Sequence, residues 1–416
     1  MTAIGALIGL AISIILILKK YNAAYSLILG ALVGGLAGGV SLPHTVELMV
    51  DGVKEVTPAI VRILTAGVLS GVLIQTGAAS RIALSITRAF GEEKAFVALV
   101  LSTFLLTAIG VFIDVAVITV APIALAIGQR MGFSKMRLLL AMVGGGKCGN
   151  IISPNPNTII AAENFGAPLP SVMYVNFIPA VVGLIISVLL VKGMSNRGEP
   201  VTTCPEIEDE KLLPSFWSSI FGPLVTIVLL ALRPLFGIQI DPLVALPVGG
   251  LVGIVAMRRT RQLKESLVYG LEKMSVVAVL LIGTGTIAGI IKGSELKDVI
   301  LAGLDALSIG RSFVAPVAGA LMSAVTASTT AGATLASASF ADVILAAGVS
   351  AVWGAAMVNS GATVLDHLPH GSFFHATGGA VEMSLRERLK LIGYESCIGG
   401  SLALLSLIGY FVATLF

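Results

Sequence analysis

Apolar stretches that approach the roughly 20 residues a membrane-spanning helix needs recur along the whole chain, at Ile4 to Leu18, Phe96 to Ile109, Val172 to Val191, Ile220 to Leu232 and Ile398 to Leu415. Lipid satisfies no backbone polar groups, so these stretches are expected to be helical. Only 12% of the 416 residues are charged and 56% are hydrophobic, against roughly 25% charged in a soluble domain. A soluble fold this apolar would aggregate. The first stretch lacks a basic flank and a small-residue cleavage site, and it runs on into more apolar sequence, so it is read as the first span rather than a cleaved signal. Cys148, Cys204 and Cys397 are far apart and without CxxC spacing. They suggest neither a disulfide framework nor a zinc site and are expected to pack as small apolar residues.

The net charge of +3 says less than where the basic residues fall. With the segment after the first span placed in the cytoplasm, the clusters at Lys19–Lys20, Arg81–Lys94, Arg130–Arg137, Lys192–Arg197, Arg258–Lys264 and Arg386–Lys390 all lie inside. Lys54, Arg233, Lys297 and Arg311 are among the few outside, and both termini are outside. Phe96 to Ile127 then has basic cytoplasmic flanks on both ends, which predicts a re-entrant hairpin. Phe313 to Ala347 would be its counterpart from the opposite face. LMVDGVKEV at Leu48 to Val56 parallels LVYGLEKMSV at Leu267 to Val276, and Gly149 to Phe165 parallels Ala362 to Gly378 in pattern. The expectation is an all-α polytopic membrane protein made of two inverted repeats, 1–195 and 214–416, joined by an acidic cytoplasmic tether at 196–213. Each repeat would hold about five spans plus one hairpin, with broken helices at the midplane, an architecture found in many secondary transporters. Gly30, Gly34 and Gly38 read as ordinary close helix packing.

GGGKCGNIISPNPNT, Gly144 to Thr158, holds too many glycines, prolines and polar side chains to continue as a lipid-facing helix. It is read as a break lining a polar cavity. Freed amides and the positive end of the following half-helix attract anions. Asn150, Ser153, Asn155, Asn157 and Thr158 offer neutral hydrogen bonds, a set suited to a hydroxylated carboxylate. Lys147 lies in the same stretch. At membrane depth a cation costs at least about 2.5 kcal/mol unless paired or hydrated, so Lys147 either binds a substrate carboxylate or pairs with a structural acid. A phosphate loop is excluded, because Ala141 stands where a glycine is required and Cys148 replaces Ser or Thr.

Asp114, central in the first hairpin, is either a proton carrier or a helix cap. The second hairpin carries Thr326, Ser328, Thr329, Thr330 and Thr334, which suit substrate hydroxyls, a sodium ion or plain interhelical bonding. NSGATVLDHLPHGSFFH, Asn359 to His375, is a second polar break. Asn359, Ser360, Thr363, His367 and His370 are candidate substrate ligands there, and Asp366 with His367 is a candidate proton relay. The histidine spacing matches no zinc motif.

At these breaks the chain resembles the gluconate permease family of proton symporters, within the ion-transporter superfamily. Ser360, Gly361, His367 and Phe373 match the family's Gly-Ser-Gly...Ser-His...Gly-Phe-Trp segment, with Asp366 where the family usually has Ser. Gly149 and Thr158 match its Pro- and His-containing segment, although asparagines replace the histidine here, and Asp114 in GVFID matches an acidic position. The resemblance implies a multi-pass protein of the bacterial inner membrane that imports a small sugar acid with a proton. It implies a homodimer in which a transport domain moves against a scaffold, with no cofactor beyond the coupling ion and no nucleic-acid partner. A sodium-coupled carboxylate carrier is the neighbouring alternative. An intramembrane enzyme lacks a nucleophile-base or metal signature, and a channel fits paired breaks less well.

Overall fold

The computed structural model describes the whole chain apart from residues 92–93, 197, 203–209, 239, 300–301, 303–309 and 416, and apart from the side chains of 233–235. Cys204, Arg197, the Arg233 side chain and much of the tether therefore lie outside the described residues. Among those described, helices carry the fold, and the β contact recorded is an isolated Ser134–Pro200 bridge.

The chain opens with α1 (Ala3–Leu18) and α2 (Ala23–Ala37), capped by the side chains of Thr2 and Asn22. They cross where Gly5 and Gly9 meet Gly30, Gly34 and Gly38, so the spaced glycines do serve close packing. Two long helices follow the same logic: α3 (Leu42–Gln75) and α13 (Leu263–Lys292) run antiparallel, with Gly52 on Gly285 and Gly289, Gly67 on Gly270, and Gly71 on Ser266 and Gly270. A Cβ on Gly52 would sit 2.1 Å from the Gly285 carbonyl oxygen. Between them lie α4 (Ala78–Phe90), α5 (Ala95–Ala108), α6 (Ile113–Met131), α7 (Lys135–Asn150), α8 (Pro156–Asn164), α9 (Leu169–Val175), α10 (Phe177–Gly193), α11 (Phe216–Phe236) and α12 (Pro242–Ala256). After α13 come α14 (Val314–Thr326), α15 (Thr329–Ala346), α16 (Ala351–Gly361), α17 (Ser372–Ala380), α18 (Leu385–Lys390) and α19 (Ile392–Leu415). Among the described residues, five helical stretches are long and apolar enough to cross a membrane, and α9 with α10, bent by 43°, makes a sixth.

Both expected hairpins are helix-turn-helix units. Helices α5 and α6 turn at Ile109–Phe112, where Gly110 has φ +106°, and α14 and α15 turn at Ala327–Ser328. Ala327 is left-handed at φ +46° and packs on Gly371, where an added Cβ would lie 2.5 Å from the Ala327 Cβ. The second break thus props the second hairpin tip.

Three expectations need correction. The first break is narrower than Gly144 to Thr158, because α7 continues through the glycines to Asn150 and only Ile151–Asn155 leave the helix. Gly145 and Gly149 let α7 press on α5, where a Cβ on Gly145 would be 2.0 Å from the Val100 oxygen and one on Gly149 2.3 Å from the Phe104 oxygen, while Gly144 faces Ser187 of α10 and Gly146 faces Ile113 of α6. Val172 to Val191 is not one straight helix, since it bends at Asn176. The Asn176 amide donates to the Ile151 and Ala356 carbonyls, and Ser406 donates to its oxygen. Cys148 is buried as expected, but Cys397 is exposed. Near the tether, Glu210 pairs with Arg81 and Arg88, and the Arg88 and Arg81 guanidiniums hold its carboxyl below the usual range.

Candidate functional site

Three helix N-termini open on one cavity of about 260 Å³. Its lining takes Phe112–Val115 from the start of α6, Ala327–Thr330 from the start of α15, and Ser372–Phe373 from the start of α17. Asn150 comes from the end of α7, Asp366 from the second break, and Lys273, Val276 and Val277 from α13. Neither Phe112 nor Gly371 caps its helix with a side chain, while Ser328 caps α15 by accepting from the Ala331 amide. First-turn amides without intrahelical partners are ready donors, and the helix dipoles add positive potential. The cavity is therefore suited to an anion.

Behind the cavity lies a chain of buried ionisable groups. Asp366, 2% exposed, accepts from Thr329 Oγ1 at 2.5 Å through Oδ2 and pairs with Lys147 through Oδ1. Lys147 is 0% exposed and also donates to the Thr363 carbonyl oxygen and His367 Nδ1. His367 Nε2 lies 3.0 Å from the Ile392 carbonyl oxygen and 3.1 Å from Ser396 Oγ. A carbonyl can only accept, so the network assigns the neutral ring's hydrogen to Nε2 and leaves Nδ1 to accept from Lys147. Glu395 Oε2 is 3.9 Å from Nδ1, and the Glu395 carboxylate is held by Arg388 through both oxygens, Nη1 donating to Oε1 and Nη2 to Oε2. Arg388 also donates to the Phe374 carbonyl and Thr377, with its guanidinium 4.7 Å from the Phe374 ring centre.

The first break is held by neutral bonds. Asn157 donates to Asn359 at 2.8 Å, Asn359 to Thr158 Oγ1 at 3.0 Å, and Thr158 Oγ1 to Asn155 at 3.1 Å. Asn155 in turn donates to Asn150. Ser360 and Thr363 bond backward to Met357 and Ser360 carbonyls, and the buried Ser153 hydroxyl has no protein partner.

Of the residues singled out from the sequence, Asp114, Asn150, Ser328, Thr329, Thr330 and Asp366 meet at the cavity. Lys147, Ser153, Asn155, Asn157, Thr158, Asn359, Ser360, Thr363 and His367 are buried outside its lining. His370 lies outside the lining, its Nε2 donating to the Val325 carbonyl oxygen at 3.1 Å. Asp114 is not a cap, because Phe112 holds that position and Asp114 sits in the first turn of α6. Lys147 does pair with an acid, as one of its two readings required.

Four residues escaped the sequence reading as site residues: Lys273, Ser372, Glu395 and Arg388. Lys273 stood in LVYGLEKMSV, noted only as a repeat, and Glu395 is the lone acid in α19. Arg388 passed as one more cytoplasmic basic residue, yet it is 1% exposed.

The GntP family permease profile matches residues 1–415. An uncharacterised transporter of Haemophilus influenzae is 53% identical over 97% of each chain. The high-affinity gluconate transporter of Escherichia coli is 22% identical over 88% of this chain and 90% of its own. The crystal structure of the Alcanivorax borkumensis YdaH transporter superposes with a TM-score of 0.62 at 15% identity, covering 89% of this chain and 87% of that one, which speaks for the fold alone. With its apolar helices and their polar breaks, the chain belongs to the GntP permease family and is a multi-pass membrane transporter, not an enzyme.

Proposed function

We propose that the protein imports a small hydroxylated monocarboxylate, gluconate or a close relative, together with a proton. The observation that carries this is the convergence of three helix N-termini on one cavity, two of them without a side-chain cap. Amide donors and dipoles take the carboxylate, Lys273 adds a cation at the same cavity, and Ser328, Thr329, Thr330 and Ser372 meet the hydroxyls. Lys147 serves the substrate indirectly, by holding Asp366 ionised beneath it. Relatives named as gluconate permeases or transporters support the substrate class.

Opposed halves fit the packing of α3 and α13. Gly52 and Gly270, Gly67 and Gly285, and Gly71 and Gly289 are each 218 residues apart, and Gly52 meets Gly289 where Gly71 meets Gly270. Such a reciprocal crossing is what an inverted repeat produces. In this reading the units are 1–195 and 214–416, the hairpins enter from opposite faces of the bilayer, and the protein is a homodimer whose hairpins and breaks move together against α3 and α13.

The test is uptake of labelled gluconate into liposomes holding the purified protein, with and without an imposed pH gradient. Accumulation of unchanged gluconate driven by external acid is expected, and Asp114→Asn should abolish it. Indifference to the gradient would overturn proton coupling. Loss of uptake when choline replaces sodium would make the carrier sodium-coupled instead.

A further inference from the structure

The symport reading leaves Glu395 and Arg388 without a role, although both are almost wholly buried and Glu395 reaches toward His367. Resting on that reading, we infer that Glu395, clamped by Arg388, is a positioning residue that makes the buried cluster a socket for one proton, taken up at His367 Nδ1 when a monoanion fills the cavity.

With the cavity empty, the positive Lys147 and Arg388 balance the negative Asp366 and Glu395, and His367, its Nδ1 accepting from Lys147, is neutral. Lys147 arrives from α7, Arg388 from α18, Glu395 from α19, and Asp366 precedes His367 in the second break. The cavity's other charges, Asp114 and Lys273, cancel each other, and His370 bonds the Val325 carbonyl without joining the cluster. The buried cluster of Lys147, Asp366, His367, Arg388 and Glu395 is therefore neutral, and an unbalanced charge there would be costly. A bound monoanion adds one negative charge beside Asp366. One proton on His367 Nδ1 restores neutrality: the new N–H donates to Asp366 Oδ1, 3.1 Å away, while Lys147 keeps the Thr363 carbonyl and Asp366. Asp366 lies between His367 and the cavity, so proton and anion report to each other across a single carboxylate.

Two consequences follow. The loaded carrier crosses with no net charge, so uptake follows the pH gradient and ignores the membrane potential. Without the Glu395 charge, the cluster keeps one excess positive charge that the anion alone satisfies, and the proton is no longer taken.

Gluconate uptake by the full-length protein in liposomes tests both, with the pH gradient and the potential imposed separately. The wild type should approach about tenfold accumulation per pH unit, the limit for one proton per anion, and should be unmoved by an inside-negative potential. Glu395→Gln should lose the pH-gradient response yet still exchange labelled for unlabelled gluconate, with net uptake now opposed by an inside-negative potential. Glu395→Asp should retain coupling, and Glu395→Gln with Arg388→Gln, which restores the charge count, should recover it. A wild type that ignores the pH gradient defeats the symport reading itself. A wild type that responds to the gradient but is also accelerated by an inside-negative potential leaves symport standing and overturns the single-proton socket. Full pH-driven accumulation by Glu395→Gln, or a folded, exchanging double variant that stays uncoupled, overturns the role of Glu395. Should Glu395→Gln fail to fold, the wild-type potential experiment still decides.

Discussion

The two broken helices lie back to back and are built from opposite chemistries. The first, at Ile151–Asn155, is secured by amides and hydroxyls running from Asn150 through Asn155 and Thr158 to Asn359 and Asn157. The second, between α16 and α17, is secured by charge: Asp366 and His367 join Lys147 on one side and Glu395 with Arg388 on the other. Amides and hydroxyls keep one state over the physiological pH range, whereas an imidazole among carboxylates can change with a single proton. Under the proton-symport proposal, the first break supplies rigidity and the second the proton sensing.

Removing charge from the second break should have the largest effect. Asp366→Asn leaves Lys147 buried without its counter-ion, which costs about 3–5 kcal/mol when a buried pair loses one partner. Thermal unfolding in detergent should register that loss, and gluconate uptake should fall to background. Asp366→Asn combined with Lys147→Gln should regain most of the stability but none of the uptake. A single variant as stable as wild type would mean that the pair is not ionised, and the contrast between the breaks would dissolve.

Truncating the neutral break should cost less, and equally at every pH. Asn359→Ala removes the acceptor of Asn157 and the donor to Thr158, both buried, for about 1–3 kcal/mol. Because no group in that lock titrates near neutrality, the loss should be the same at pH 6 and pH 8. A pH-dependent loss would show that the two breaks share one ionisation.

Much of this arrangement was legible in the sequence because lipid leaves few options. Apolar runs had to be helices, and the stretches Gly144 to Thr158 and Asn359 to His375 had to contain breaks, although only Ile151–Asn155 and Ala362–Gly371 within them leave the helices. What could not be read was the partner of each charge. Lys147 and Asp366 are 219 residues apart, and nothing local to either signals the other. Arg388 looked like a cytoplasmic charge because a basic residue beside Arg386 and Lys390 ordinarily faces water. Its neighbour in space, Glu395, follows one helical turn into α19, out of view of any local motif. The glycines of α7 are hard to read for a related reason: glycine destabilises a helix in isolation, but here neighbouring helices press close against it, α5 on Gly145 and Gly149 and α10 on Gly144.

The smallest effect is expected at His370, which tests how tightly proton sensing is confined. It stands three residues after His367, but its ring lies outside the cavity lining and donates to the Val325 carbonyl near the second hairpin tip. His370→Gln can keep that donor, so the stability loss should stay within about 1 kcal/mol, the value of one ordinary hydrogen bond. Uptake should keep its pH profile, with at most a modest rise in KM from a less well braced hairpin tip. His367→Gln should instead remove the response to the pH gradient, because its amide cannot take the proton that the ring nitrogen accepts. If the two variants behaved alike, protons would be sensed by the histidines of the second break collectively, and Asp366 would not be the one link between proton and anion.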